Sequence, residues 1–468
     1  MVEVQSRLAA TRARRQRRWT MRSVPRRQER RRARARFGKL SAGGLIGVRV
    51  PAERLILKIL FLSHQYPPES GWGGIASYVA TISRALVRRG HEVHVLCCWG
   101  HQEPIDRVED GVAVHRRRNM RLRGSQRLLG APVVSAAARR FRVPADQVGA
   151  SPSWRLATAA TCFREYRRLG VEFDVVESPD WMAEGLMFAL RGSVPLVVDF
   201  KGNLLTYAHG GGQQLGWHGR LSNQLERTTV LGGTVLTSPS LLTMQFLAEA
   251  GWRKASSARV IRRPVDLQQW QVTPAHNTRP VIVQMGRLET VKAPDVLIRA
   301  AALLAGKVPD VEVVFVGATN GQIDGQPAGV SLERLAAKLG VQCRFAGHAA
   351  WSEMSNWYQQ ARVIALASRF DNFPNVGLEA MASGRPVVCS SRTGLAELAD
   401  DADRSLAVVP PDDPAALADA LEPYLADSRF AAEAGEQGRA CVERLCHPQV
   451  IAAQRELAYA DAVDGVAA

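Results

Sequence analysis

The chain has 468 residues, 46% hydrophobic and 22% charged, enough for two large domains of ordinary globular composition. No stretch approaches ~18 consecutive apolar residues, which excludes a membrane-spanning helix, and the seven cysteines form no CxxC pair and no regular framework, which excludes a disulfide scaffold. The net charge of +17 is not a property of the whole chain: residues 1–54 hold 17 basic residues against three acidic ones, leaving only +3 for the rest.

Residues 1–54 lack periodic hydrophobicity until about Leu45 and are expected to be a disordered basic tail. Such a tail could engage nucleic acid or anionic lipid through charge. Being Arg-rich and acid-poor, it also fits a transit peptide. The favoured reading is an upstream extension with little role, because a domain's opening strand follows at once. No apolar core of signal-peptide type follows Met1, and most cysteines sit in apolar runs, so reduced thiols and a cytoplasmic location are expected.

Leu55–Leu62 is that opening strand, followed by the loop SHQYPPESGWGG, a helix over Ile75–Arg89 and a strand over His91–Cys98. The glycines Gly71, Gly73 and Gly74 do not make a GxGxxG fingerprint, yet such a loop can bring backbone N–H groups close to a phosphate or sugar. Val112–His115 reads as a short strand. From Arg116 to Arg168 the chain is basic and poorly patterned. This is a solvated face or, with Leu128, Val133 and Phe141 interleaved, a peripheral contact with an anionic membrane. Alternation then returns, with strands at Phe173–Glu177, Pro195–Phe200, Gly233–Ser238 and Arg259–Ile261. Helices are expected at Ala183–Leu190, Leu221–Leu231 and Leu241–Ala250.

A polar, proline-containing segment near Val272–Pro280 marks a boundary. A second alternating series runs through strands at Val281–Met285, Val311–Val316, Gln342–Phe345, Ala361–Ala367 and Pro386–Cys389. Helices lie between them, and the last helix, about Gln449–Val463, reads as amphipathic. The expected organisation is a tail (1–54), a first parallel-sheet domain (55–272), a second (273–447) and a C-terminal helix (448–468) that crosses back to the first domain. The fold class is α/β, with a cleft between the domains as the default ligand site.

Two stretches carry the chemistry. In the first, the strand Val281–Met285 ends at Gly286, with Arg287 next and Lys292 at the following helix start. Two cations at a strand's carboxyl end suit a diphosphate, Arg as a planar fork and Lys as a point charge; the alternative is that both are solvated surface residues. In the second, Ala365–Ser391, a strand leads through Asp371, Asn372 and Pro374 into a helix over Val376–Ala382 that carries Glu379. A helix N-terminus there suits an anion. An acid beside it is available for sugar hydroxyls, since it repels phosphate. On spacing alone this second stretch is equally a surface loop capping an ordinary helix.

GRLETVK (Gly286 to Lys292) followed by FDNFPNVGLEAMASGRPVV (Phe370 to Val388) resembles the carboxyl-terminal domain of family 4 retaining glycosyltransferases of GT-B fold. Leu57–Leu96 is similar to that family's opening unit. The resemblance runs from about Leu55 to the end and is poorest over Arg116–Arg168. It implies two Rossmann-like domains, with a nucleotide-sugar mainly on the second and a glycan, lipid-linked or small-molecule acceptor mainly on the first. It implies that Arg287 and Lys292 hold the diphosphate and that the amides of Asn375, Val376 and Gly377 meet phosphates or sugar. Gly73 and Gly74 would lie close to the donor phosphates. Asp371 would contact the donor sugar and Glu379 the ribose. No cofactor and no metal is implied beyond the nucleotide-sugar as co-substrate, and no DxD triplet or His/Cys cluster offers a metal site. The activity implied is hexosyl transfer with retention, of the kind used in polysaccharide biosynthesis. A nucleotide-sugar epimerase of the same fold, or a nucleic-acid-binding protein acting through the tail, are the alternatives. Nucleic acid is not an expected partner.

The sequence departs from the family pattern at three places. Asp371 stands where Glu is usual. Lys201 stands where a His usually flanks the reacting centre, so that a Lys there is expected to bond a sugar hydroxyl or the leaving phosphate. Arg263 replaces an Asn in RRPVD.

Overall fold

The structure is a computed structural model that describes residues 56–68, 73–98, 103–119, 151–275, 278–319, 321–323 and 325–467. The basic tail, Gly71 and the 120–150 part of the basic stretch lie outside the described residues.

Two sheets organise the described chain. The first is built from β1 (Lys58–Ser63), β2 (Glu92–Cys97), β3 (Ile105–Glu109), β4 (Val112–Arg116), β5 (Val175–Pro179), β6 (Leu196–Asp199), β7 (Val235–Ser238) and β8 (Arg259–Val260). Their order is β3-β4-β2-β1-β5-β6-β7-β8, parallel except for β3 against β4. The second is built from β9 (Val281–Met285), β10 (Glu312–Val316), β11 (Cys343–Gly347), β12 (Val363–Leu366), β13 (Val387–Ser390) and β14 (Leu406–Val409), in the order β11-β10-β9-β12-β13-β14, all parallel.

The apolar runs that read as strands do so because both sheet faces are covered. In β1, Ile59 and Phe61 enter one core and Leu60 and Leu62 the other. In β9, Ile282 enters one core and Val281, Val283 and Met285 the other. Strand order reverses at β1 in the first sheet and at β9 in the second, so each has a switch point where the loops beyond neighbouring strands part and a ligand can enter.

Helix α1 (Gly74–Arg88) follows the first switch point and α10 (Asn375–Ala382) follows β12. Between them in sequence lie α2 (Pro152–Leu169), α3 (Leu186–Arg191), α4 (Leu204–Gly210), α5 (Trp217–Gly232), α6 (Leu241–Glu249), α7 (Pro294–Leu304), α8 (Ala328–Leu339) and α9 (Met354–Gln360). Three long helices close the chain: α11 (Pro414–Ala426), α12 (Ser428–Cys446) and α13 (Pro448–Ala467). As expected, α13 returns to the first sheet. It packs on α1 and the β5–β7 strands, with Ile451, Ala452, Ala458, Tyr459 and Ala462 in the same core as Ile59 and Phe61. No helix among the described residues is long and apolar enough to cross a membrane.

Among the elements named above, β3, β14, α4 and α2 escape the sequence reading, as do the short antiparallel pair Gln322–Ile323 and Gln326–Pro327 and the helix Ala399–Ala402. Helix α2 lies in the stretch read as unpatterned. It has no simple apolar stripe because it buries polar side chains, Arg155, Thr158, Thr161 and Glu165. Arg155 is fully enclosed and pairs with Glu226 of α5 at 2.7 Å. The final helix is likewise not plainly amphipathic, since its packed face carries the buried Arg455.

Candidate functional site

The loops beyond the carboxyl ends of the two sheets meet each other. Asn372, beyond β12, donates to the Phe200 carbonyl beyond β6 at 2.7 Å and accepts from Thr243 and from Ser240 (3.3 Å). Glu397 accepts from the Leu241 and Leu242 amides at the start of α6, at 3.0 and 2.8 Å, an acid on a helix N-terminus. Tyr207 of α4 donates to Glu289 at 2.8 Å. These cross-links are absent from any sequence motif; they hold the first domain's loops over the second switch point.

On the second domain, β9 ends at Gly286, whose φ of +123° a side chain would strain. The chain then turns through Arg287 to Lys292. Lys292 Nζ lies 2.5 Å from Asp371 Oδ2. Two positions 79 residues apart, from separate motifs, are thus one ion pair. The Asp371 backbone is fixed on both sides: its amide donates to the Arg392 carbonyl at 2.9 Å and its carbonyl accepts from Gly394 at 2.9 Å. Arg287 is exposed, 3.2 Å from Glu289 and near the Tyr207 ring.

Helix α10 begins at Asn375 after Pro374, and no side chain caps it. Gly377, expected to offer its amide to a ligand, donates instead to the Pro374 carbonyl at 3.1 Å. A Cβ at Gly377 would stand 2.2 Å from Leu395. Asn375 and Val376 carry the amides that open the helix. Asn375 Nδ2 reaches the Gly74 carbonyl at 3.3 Å, which brings the first domain's glycine turn onto this N-terminus. Gly73 is the N-cap of α1 and Gly74 its first residue.

Glu379, one turn further along α10, is 7% exposed and accepts from Tyr358 Oη at 2.8 Å. Burial pushes its carboxyl up to about 7, and the Tyr358 bond only partly opposes this. It lines a shallow cleft with Ser77, Asp266, Trp270, Trp351 and Asn375. Tyr358 was not visible as a site residue because it lies 21 residues upstream, in α9, with no motif around it.

Lys201 does not join this cluster through its ammonium. Its side chain is enclosed, paired with Asp199 and set over the Tyr78 ring. Burial lowers the ammonium below its usual range while Asp199 opposes the shift. The expectation that it would bond a sugar hydroxyl or phosphate assumed an open side chain. A Lys at a strand end beside Asp199 folds back instead, because a buried carboxylate draws it in. The same carboxylate binds Arg455 of α13 at 2.9 Å, and Arg455 also lies 3.5 Å from Glu177. Tyr78 and Tyr459 donate to Glu177 at 2.8 and 2.6 Å. Two cations and two carboxylates therefore close a neutral network beneath the first domain's loops. Beside it Asp180, buried and held by the Lys201 amide and Asn203, is raised by burial to about 7.

The arrangement offers cations and helix amides for an anion, a carboxylate (Asp371) beside them for hydroxyl groups, and a second carboxyl group (Glu379), raised by burial, one helix turn away. Among the described residues no group of three or more His, Cys, Asp or Glu side chains is placed to hold a metal ion.

Residues 268–440 match the family described as Glycosyl transferases group 1, and residues 72–269 match Glycosyltransferase Family 4. A D-inositol 3-phosphate glycosyltransferase of Xylanimonas cellulosilytica is 28% identical over 420 residues, covering 83% of this chain and 92% of that protein. Among solved structures, the chain is similar to sucrose-phosphate synthase from Thermosynechococcus elongatus, with a TM-score of 0.67, 20% identity and 86% and 98% of the two chains covered. It is also similar to Anabaena HepE in complex with UDP and glucose, with a TM-score of 0.60, 18% identity and coverage of 85% and 98%. At these identities the two structures speak for the fold alone.

Proposed function

We propose that this chain, which belongs to the family 4 (group 1) glycosyltransferases and has their GT-B fold, moves a hexosyl group from a nucleotide-sugar to an acceptor hydroxyl with retention at the anomeric carbon. The observation that carries this reading is the junction of the Gly73–Gly74 turn, the α10 N-terminus and the Lys292–Asp371 pair at the facing strand ends.

Transfer breaks the bond from the anomeric carbon to phosphate, and negative charge builds on the departing diphosphate. Lys292, Arg287 and the Asn375 and Val376 amides are fixed or readily brought to that charge, and they act more strongly on it in the transition state than before it. Donor phosphate arriving at Lys292 competes with Asp371 for the ammonium, which frees the Asp371 carboxylate for the sugar hydroxyls. Glu379 accepts from the ribose hydroxyls inside the cleft that Trp270 and Trp351 line. The protein needs no cofactor on this reading, and the cations supply the positive field, so chelation by EDTA is expected to leave the rate unchanged.

The acceptor would enter from the first domain, over Asp180 and the α4 loop. The curated relative acts by name on D-inositol 3-phosphate, which makes a polyol phosphate one candidate; a glycan or lipid-linked sugar is the other. The location is taken as cytoplasmic, with any membrane contact peripheral. The test is to incubate the purified protein with UDP-, GDP- and ADP-sugars, alone and with D-inositol 3-phosphate or oligosaccharide acceptors. Anomeric configuration of the product is read by NMR. Release of nucleoside diphosphate with an axial donor giving an axial product is expected. An epimerised sugar with no transfer, or no turnover of any donor, would overturn the reading.

A further inference from the structure

Arg263 follows β8 at the edge of the first domain and lies at the junction just described. Its Nη2 donates to the Lys201 carbonyl at 3.2 Å, and its Nη1 makes only long contacts, 3.4 Å to the Gly74 carbonyl and 3.5 Å to Asn375 Oδ1. Its Nε has no hydrogen-bond partner. The residue is 6% exposed, and among the described residues no carboxylate lies within ion-pair distance of it. Asp199, Asp371 and Asp180 act on it only at longer range, and burial lowers its pKa from the usual arginine range.

A guanidinium has five N–H donors in a planar fork. Here it is desolvated, has one ordinary bond, and faces carbonyl oxygens at lengths where bonds are weak. An uncompensated buried cation is strongly unfavourable, and the cost is removed when an anion arrives. Both neighbours of its Nη1 belong to the anion-binding geometry: Asn375 opens α10, and Gly74 begins α1, where a Cβ would lie 3.8 Å from that nitrogen.

We infer that Arg263 is a third cation for the donor diphosphate, reaching it from the first domain while Arg287 and Lys292 reach it from the second. This rests on the donor-binding reading above. It also joins two departures from the family pattern: Lys201 turns its ammonium inward onto Asp199 and leaves its carbonyl to hold Arg263, and Arg263 supplies the positive charge that Lys201 withholds. With a phosphate bound, the long contacts to Gly74 and Asn375 give way to a bidentate pair with phosphoryl oxygens.

The test is calorimetric titration of the wild type, Arg263→Asn and Arg263→Lys with UDP, GDP and ADP and with the matching monophosphates, together with thermal unfolding of each unliganded protein. For the diphosphate that binds tightest, Arg263→Asn is expected to lower the ratio of diphosphate to monophosphate affinity about 30-fold, and to raise the unfolding temperature of the unliganded protein because an unpaired buried charge is gone. Arg263→Lys is expected to keep most of the ratio. An unchanged ratio in Arg263→Asn overturns the inference while leaving the donor reading standing. So does a fall in unfolding temperature with equal loss of both ligands, the mark of a purely structural clamp. A wild type that binds none of the diphosphates overturns both.

Discussion

Replacing Glu379 by Gln tests the site through stability and binding at once, with opposite signs. The Glu379 carboxyl is enclosed and moved from an ordinary value of 4.5 to about 7 by burial. A carboxyl raised on folding binds its proton more tightly in the native state. The native protein therefore carries no penalty well below pH 4.5, a growing one as pH rises towards 7, and the full one above. The gap corresponds to about 3 kcal/mol at pH 8.5 and about 1 kcal/mol at pH 5. Gln is isosteric, cannot ionise and still accepts from Tyr358. Glu379→Gln should therefore gain about 2 kcal/mol more over the wild type at pH 8.5 than at pH 5, whatever constant offset the amide introduces. Urea unfolding followed by tryptophan fluorescence reads this locally, because Trp270 packs edge-on against Tyr358 at 5.3 Å and Trp351 packs on Trp270. The same variant should bind nucleoside diphosphate about 30-fold more weakly, having lost a charged acceptor for ribose. A difference between variant and wild type that is the same at both pH values would refute the burial argument; unchanged nucleotide affinity would remove Glu379 from the site.

Lys292→Ala removes a phosphate-facing cation and unpairs Asp371, and should weaken nucleoside diphosphate binding about 30-fold by calorimetry, with a smaller effect on the nucleoside alone. Asp371→Asn should lower kcat about 100-fold with little change in nucleotide affinity, whereas Asp371→Glu, which restores the acid usual in the family, should keep turnover within about tenfold of wild type. Arg455→Met leaves Asp199 and Glu177 facing each other without their shared cation and should destabilise the protein by about 3–5 kcal/mol in thermal or urea unfolding; a neutral effect would mean that Lys201 alone compensates both carboxylates.

Much of this architecture is legible in the sequence. The βαβ alternation is readable because parallel strands covered on both faces are short unbroken apolar runs, as at β1 and β9, and few other structures write that pattern. Gly73, Gly74, Asp371, Glu379, Arg287 and Lys292 were singled out by the resemblance to the family; spacing alone left them readable as ordinary turn, helix and surface residues. Helix α2 was illegible because it buries charge. Arg155 and Glu165 look like surface residues in a periodicity argument, and only their partners on other elements make them interior.

What the sequence by itself determined is the order of the elements and the local chemistry at each strand end, since backbone periodicity and turn composition act over a few residues. Which of those strand ends touch was decided by the tertiary structure alone. The Lys292–Asp371 pair, the Tyr358–Glu379 bond and the placing of Arg263 between Gly74 and Asn375 join residues 21 to 189 positions apart. Lys201 is the sharpest case. Its position at the end of β6 was readable, but the direction of its side chain depended on Asp199 and on Arg455 arriving from the last helix. A buried charge takes its orientation from the counter-charges that the completed fold brings to it, and no local pattern records those.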